Sequence, residues 1–443
     1  MNQENIFEAE TVGSRQGWLA ISPALVFLIL YVVVSILIGD FYKMPITVAL
    51  GAASVWAIAI FRGRSLSQRI EVFSRAAGHD NILYMVWIFI LAGAFASLAK
   101  GIGAIDATVN LTLRFFPSGF MLPAIFAAAC FISMSVGTSV GTVVALTPLV
   151  VEMAETTGGG TGHVALFVAT VLGGAFFGDN LSFISDTTIA ATRSQGCSMA
   201  DKFKANIRVV LPAAIIALAV YFFIGREINF PQVTAQADYW LIIPYMVIIA
   251  TALAGINVTL VLLCGIASAI VIGLWRTDIG QLSQCSLMGE GIDSMGQLII
   301  ITLLASGMLG TIKAMGGINF ILQKLTSHVS RPRGARWTIA LLVAIVNLCT
   351  ANNTVAIITV GGVSREIASR FNIPPRYSAS ILDTCSCIVQ CLIPYGAQTL
   401  LATGLADISP AAPWPYLFYP WALTLCVAVT TLLKKFHTPD ETF

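Results

Sequence analysis

The feature that most constrains this chain is a set of apolar runs broken by polar residues, with each break recurring at a matching place in the second half. Leu91-Ala92-Gly93 leads to Lys100-Gly101-Ile102-Gly103-Ala104-Ile105-Asp106, and Leu304-Ala305-Ser306 leads to Lys313-Ala314-Met315-Gly316-Gly317-Ile318-Asn319. Gly141-Thr142-Val143-Val144-Ala145-Leu146-Thr147 sits likewise against Asn353-Thr354-Val355-Ala356-Ile357-Ile358-Thr359. At membrane depth a backbone can leave the helical pattern only where protein or a watery cavity encloses it. Duplicated halves with equivalent breaks therefore point to a secondary transporter whose binding site lies at those breaks.

Composition excludes most other classes. The residues are 57% hydrophobic and 10% charged, with mean hydropathy +0.85, which does not suit a soluble globule of this length. The net charge of +2 and the lack of a basic stripe argue against a nucleic-acid partner. Nine cysteines are scattered through apolar segments, so disulfides are not expected. Glu4, Glu8 and Glu10 precede Arg15, and no small-residue cleavage site follows. The first apolar run therefore reads as a retained span.

A span takes about 20 apolar residues, which places spans near 18–39, 44–61, 82–105, 207–224, 239–256, 258–275, 296–315 and 414–433. Four longer stretches are interrupted: 119–154, 163–199, 337–363 and 377–406. If 119–154 and 337–363 are hairpins that enter and leave on one side, while 163–199 and 377–406 cross once, the basic residues sort to one face. The cytoplasmic face then collects Arg15, Arg62, Arg64, Arg69, Arg75, Arg193, Lys202, Lys204, Arg208, Lys324, Arg331, Arg333, Arg336, Arg365, Arg370, Arg376, Lys434 and Lys435. Only Lys43, Lys100, Arg114, Arg226 and Arg276 stay outside. The second arm of the first hairpin, 143–154, is about 18 Å long at about 1.5 Å per residue, which favours a re-entrant hairpin over two crossings.

The expected fold is an all-α polytopic membrane protein with inverted structural repeats, each holding a re-entrant hairpin and a broken transmembrane helix. Residues 1–81 form N-terminal scaffold helices and 82–224 form repeat 1, with hairpin 119–154 and broken helix 163–199. Connecting scaffold helices occupy 225–295, and repeat 2 spans 296–434 with hairpin 337–363 and broken helix 377–406.

The densest polar group inside an apolar run is Gly178-Asp179-Asn180-Leu181-Ser182-Phe183-Ile184-Ser185-Asp186-Thr187-Thr188. Acids at this depth are expensive and are functional candidates by default. A carboxylate in a partly desolvated site can hold either a proton or a sodium ion, so Asp179 and Asp186 are the candidate exchanging pair and the candidate Na+ ligands. Asn180, Ser182, Ser185 and Thr187 stand beside them. In the second half Asp383 and Ser386 are the counterparts, with Asp383 as a third participant or coupling group. The hairpin tips Thr138-Ser139 and Asn352-Asn353-Thr354 offer hydroxyl, amide and carbonyl oxygens, hard ligands suited to a small cation. Both tips are expected in one cavity near the midplane.

Other motifs are weaker. Gly137-Thr138-Ser139-Val140-Gly141 satisfies G-x-S-x-G without the strand-to-helix context a hydrolase needs. Gly158-Gly159-Gly160-Thr161-Gly162 lacks a phosphate loop's ending and reads as a connector. Of Cys385, Cys387 and Cys391 only the last two share a helical face, and packing explains them. No nucleophile and base pair lies at one depth, so an enzyme is not expected.

Gly174-Ala175-Phe176-Phe177-Gly178-Asp179 running into Ser185-Asp186-Thr187-Thr188 resembles the signature of the NhaC family of Na+/H+ antiporters. The resemblance implies an inverted-repeat fold with the substrate site between hairpin tips and broken helices. It also implies Na+ and H+ as transported ions with no cofactor, and an inner-membrane, multi-pass location in the lipid bilayer; related folds suggest a homodimer. Charge sorting puts both termini in the cytoplasm. The function expected is export of Na+ in exchange for H+. The alternative is Na+-coupled transport of a small organic solute, an amino acid or carboxylate, through the same residues.

Overall fold

The computed structural model describes residues 14–34, 45–115, 118–183, 185–228, 238–254, 256–326 and 332–432. Four of the basic residues used for threading, Lys43, Arg331, Lys434 and Lys435, lie outside the described residues, as do both terminal segments. The described residues are helical, with no strand among them.

The first described helices are α1 (Ser14–Leu28), continued by a π turn over Ile29–Val33, α2 (Ile46–Ile60) and α3 (Leu66–Ala77). Then follow α4 (Asp80–Gly101), α5 (Ala104–Phe115), α6 (Met121–Val136), α7 (Ser139–Thr156), α8 (Gly160–Leu181), α9 (Asp186–Gln195) and α10 (Met199–Gly225). A middle group holds α11 (Ile243–Leu253), α12 (Val258–Arg276) and α13 (Gln281–Ser294). The last group is α14 (Gly296–Ala314), α15 (Gly317–Thr326), α16 (Pro332–Thr350), α17 (Asn353–Arg370), α18 (Pro375–Leu392), α19 (Ala397–Leu405) and α20 (Phe418–Leu432). The order from α4 to α10 recurs from α14 to α20. Seven helices or near-continuous helix pairs among the described residues are long and apolar enough to cross a membrane, including Gly160–Gln195 and Pro375–Leu405.

Both hairpin tips turn the same way. Gly137 takes a left-handed conformation at φ 75° and ends α6, after which Thr138 is extended and α7 begins. In the second hairpin Ala351 is left-handed at φ 49°. Asn352 is then extended, and its side chain accepts a hydrogen bond from the Val355 N–H, capping α17. A side chain in the left-handed region costs roughly 1 kcal/mol that glycine avoids, so Ala351 marks a backbone held by its neighbours.

The helix breaks are also alike. Ser182 and Ser185 are extended between α8 and α9, and Ile393 and Gly396 are extended between α18 and α19. Pro394 explains the second break, since it lacks an N–H and pushes the preceding residue out of the helical region. The first break contains no proline, and tertiary hydrogen bonds hold it open, as described below.

Two expectations need correction. The second arm of the first hairpin is not limited to 143–154: Ser139 to Thr142 are helical, so α7 has 18 residues and is about 27 Å long at about 1.5 Å per residue. The length argument for a re-entrant arm therefore lapses. The glycine-rich stretch is only half a connector, because α8 already begins at Gly160. The nine cysteines are all free, as expected.

Small residues let α8 approach its neighbours. A Cβ on Gly178 would fall 2.2 Å from the Ser133 side chain and 2.6 Å from the Met134 nitrogen, and one on Gly174 would fall 2.7 Å from the Phe126 carbonyl. These contacts seat α6 directly on α8 and fix the height of Asp179 against the first hairpin tip.

Candidate functional site: a buried carboxylate between two hairpin tips

Asp179 lies in the last turn of α8 and is 4% exposed. Its carboxylate reaches the first tip, where Oδ1 accepts from the Ser139 backbone N–H at 3.0 Å and Oδ2 from the Ser139 hydroxyl at 2.6 Å. The N–H is one of the unpaired donors at the start of α7, so the bond caps that helix with a negative charge at its positive end.

The chain of bonds continues into the second half. Gln398, at the start of α19, donates its Nε2 to the Ser139 hydroxyl at 3.0 Å and accepts at Oε1 from Gln390 Nε2 at 3.1 Å. Gln390 also donates to the Ala351 carbonyl at the second tip, at 2.9 Å. The two tips are thereby joined by three hydrogen bonds through two glutamines. A cavity of about 460 Å³ opens beside them. Thr138 and Ser139 line it from one tip, Asn352, Asn353 and Thr354 from the other, with Asp179, Ser185, Asp186 and Thr187 from the first break. Among the described residues its lining contains no lysine, arginine or histidine. Asp186 is exposed, in the first turn of α9.

The remaining sequence candidates are not in the cavity wall. Ser182 is buried at the break. Asn180 points away from the cavity lining, donating Nδ2 to the Phe176 carbonyl and the Tyr419 hydroxyl, both at 3.0 Å. Ser386 donates to the Asp383 carbonyl at 2.9 Å, and its own carbonyl accepts from Asn347 at 2.7 Å.

Asp383 is fully buried and pairs with Lys202, Nζ to Oδ2 at 2.7 Å. Lys202 is 1% exposed, so it is not a free surface charge like its neighbours Lys204 and Arg208. It stands in the first turns of α10 and donates also to the Asn180 carbonyl at 2.8 Å and the Thr188 hydroxyl at 2.6 Å. Asn206, one turn on, donates Nδ2 to the same Asn180 carbonyl and to Asp383 Oδ2, each at 2.8 Å. Thr187 and Thr188 reach the Asp179 carbonyl at 3.3 and 3.5 Å. The carbonyls freed where α8 stops are thus taken by α9 and α10, which is what keeps the break open without a proline.

Sequence reasoning missed Lys202 and Asn206, and it gave no role to Gln390 and Gln398, which lie in the second-half counterpart of the first break. One signal was available for the first two. Lys202 and Asn206 are four apart and share a helix face, while Lys204 and Arg208 share the opposite, exposed face.

The chain is 23% identical to the Na+/H+ antiporter NhaC of Bacillus subtilis over 88% of this chain and 91% of that protein. It is 20% identical to the malate-2H+/Na+-lactate antiporter of the same organism, over 85% of this chain and 87% of the relative. Among solved structures, the YdaH transporter of Alcanivorax borkumensis, described as having an unusual topology, aligns over 92% of this chain and 97% of its own, at 14% identity and a TM-score of 0.41. The Na+/H+ antiporter family matches residues 14–226 and again 227–435, so this polytopic chain is a transporter and belongs to that family.

Proposed function

We propose that the protein exports Na+ in exchange for H+, with Asp179 as the group that holds either ion and Asp186 as its partner at the cavity mouth. The observation that carries this reading is a nearly buried carboxylate, hydrogen-bonded to a hairpin tip, at a cavity whose lining has two acids and no basic side chain. Such a carboxylate needs a positive partner, and a proton and a sodium ion satisfy the same need in turn. Ser139 keeps the carboxylate aimed while the partner changes.

The broader architecture follows the same reading. Repeats 82–224 and 296–434 are inverted, with the hairpins entering from opposite faces between scaffold helices at 1–81 and 225–295. This puts the tips and the breaks at one depth. The protein resides in the inner membrane with both termini cytoplasmic and works as a homodimer. The malate–lactate relative takes organic anions as well, but a cavity lining without a cationic side chain favours cations.

The test is a proteoliposome with a preset pH gradient, acidic inside, and no organic solute. External Na+ alone is expected to dissipate the gradient. If dissipation requires an added amino acid or carboxylate, the exchange reading fails and sodium-coupled solute transport replaces it.

A further inference from the structure

Lys202 is unusual for its surroundings. Its ammonium is closed in at the junction of α8, α9, α10 and α18, and each of its three partners is an oxygen: Asp383 Oδ2, the Asn180 carbonyl and the Thr188 hydroxyl. More oxygens stand around this node than the lysine can use. Asp383 Oδ1 and Asn206 Oδ1 are both buried acceptors with no donor, on residues that are 0% exposed. The excess is one-sided, since every unmatched atom is an acceptor.

One negative charge amid neutral oxygens, with no nitrogen or sulfur lone pair among the named atoms, is the donor set of a hard monovalent cation. A divalent ion would leave a net positive charge buried, which the single carboxylate cannot neutralise. The lysine head meets this description as a cation on a leash. We propose that the Lys202 ammonium occupies, as a tethered cation, a second monovalent-cation site built around Asp383. The lysine thereby keeps an external Na+ out of that site. Asn180 follows Asp179 directly in the chain, so the two cation positions flank the end of α8. Positive charge at one position opposes positive charge at the other.

This goes beyond exchange at Asp179 and stands whether or not Asp179 is the exchanging group. The test is the number of 22Na+ ions bound per purified chain at saturation, compared among wild type, K202M, K202M/D383N, D179N and K202M/D179N. K202M is expected to bind one more ion than wild type. The extra ion should vanish in K202M/D383N and persist in K202M/D179N. K202M/D179N binding one more ion than D179N separates this site from the one at Asp179, because the D179N background has already lost any ion held there.

Equal stoichiometry in K202M and wild type overturns the proposal, as does an extra ion that survives D383N. Where K202M does not accumulate, K202Q replaces it, since its amide can still donate to the Asn180 carbonyl. If both single variants are lost from sodium-grown cells while K202M/D383N is made, the unpaired Asp383 has found no external cation and the proposal falls. If the neutral double variant is lost as well, the lysine is needed for its shape and not its charge, and the proposal falls again.

Discussion

Replacing each acid of the first break by its amide separates a buried ion-binding group from an exposed one. Asp179→Asn keeps the shape and the Ser139 N–H bond. The Ser139 hydroxyl, now facing an amide, can turn and accept from it, so the structural loss is limited to about 1–2 kcal/mol, the difference between charged and neutral hydrogen bonds. The loss in ion binding is larger. A sodium ion about 4 Å from a carboxylate at an effective dielectric of ~20 gains about 4 kcal/mol, against about 1 kcal/mol in bulk water. At about 1.4 kcal/mol per tenfold, Asp179→Asn should raise the Na+ needed for half-maximal exchange by roughly 1000-fold, beyond any usable concentration. Asp186, which is exposed, should give about 5-fold on the same scale. The assay is Na+-driven proton movement in proteoliposomes, with membrane abundance and melting temperature measured in parallel. Normal exchange by Asp179→Asn, or an Asp186→Asn defect as deep as that of Asp179→Asn, refutes the reasoning.

Other perturbations test neighbouring links. Gly178→Ala would drive a methyl group into Ser133 and the Met134 backbone, an overpacking worth about 1–3 kcal/mol, and is expected to impair exchange. Gly289→Ala, where nothing lies within 4 Å, should be silent in the same melting and flux measurements. Ser139→Ala removes a bond to a charged group worth about 1.5–3 kcal/mol and should raise half-maximal Na+ by about 10- to 100-fold, read from the sodium dependence of proton flux. Asn352→Ala deletes the α17 cap and should lower stability by about 1 kcal/mol in a thermal melt. For the threading, a background lacking the exposed Cys264 and Cys285 is used to label Ser67→Cys and Ser283→Cys with an impermeant thiol reagent in intact cells. Ser283→Cys should react and Ser67→Cys should not; the reverse pattern overturns the charge-based orientation.

Much of the helix plan was legible because lipid demands long apolar runs. Helices stand where spans were expected at 44–61, 258–275 and 296–315, as Ile46–Ile60, Val258–Arg276 and Gly296–Ala314, the first of them only 15 residues long. The short helices α3, α5, α13 and α15 were not foreseen, since mixed-polarity segments of 10 to 14 residues lack that signal. At the site, Asp179, Asp186 and both tips were readable as polar residues stranded in apolar sequence, and all of them line the cavity. Lys202 was not. It sits near Asp201, Lys204 and Arg208 in a stretch whose local composition reads as a wet loop, and its partner Asp383 is far away in the chain. Gln390 was overlooked for a related reason. It stands two residues before the end of α18, as Asp179 stands two before the end of α8, but an amide raises no alarm in a search for charge.

The bridge between the tips, from Ser139 through Gln398 and Gln390 to the Ala351 carbonyl, contains hydroxyl, amide and backbone groups only. None of these gains or loses a proton at physiological pH, so the latch itself is deaf to acidity. At about 1 kcal/mol net per bond, three bonds bias the tips toward closure by about 3 kcal/mol, a population ratio of roughly 100 to 1. Parting the tips in an exchange cycle would break all three bonds, a step still within reach of thermal motion. Among the described residues, the titratable side chain hydrogen-bonded to this bridge is Asp179, through Ser139, so a pH response of the bridge is expected to arrive there.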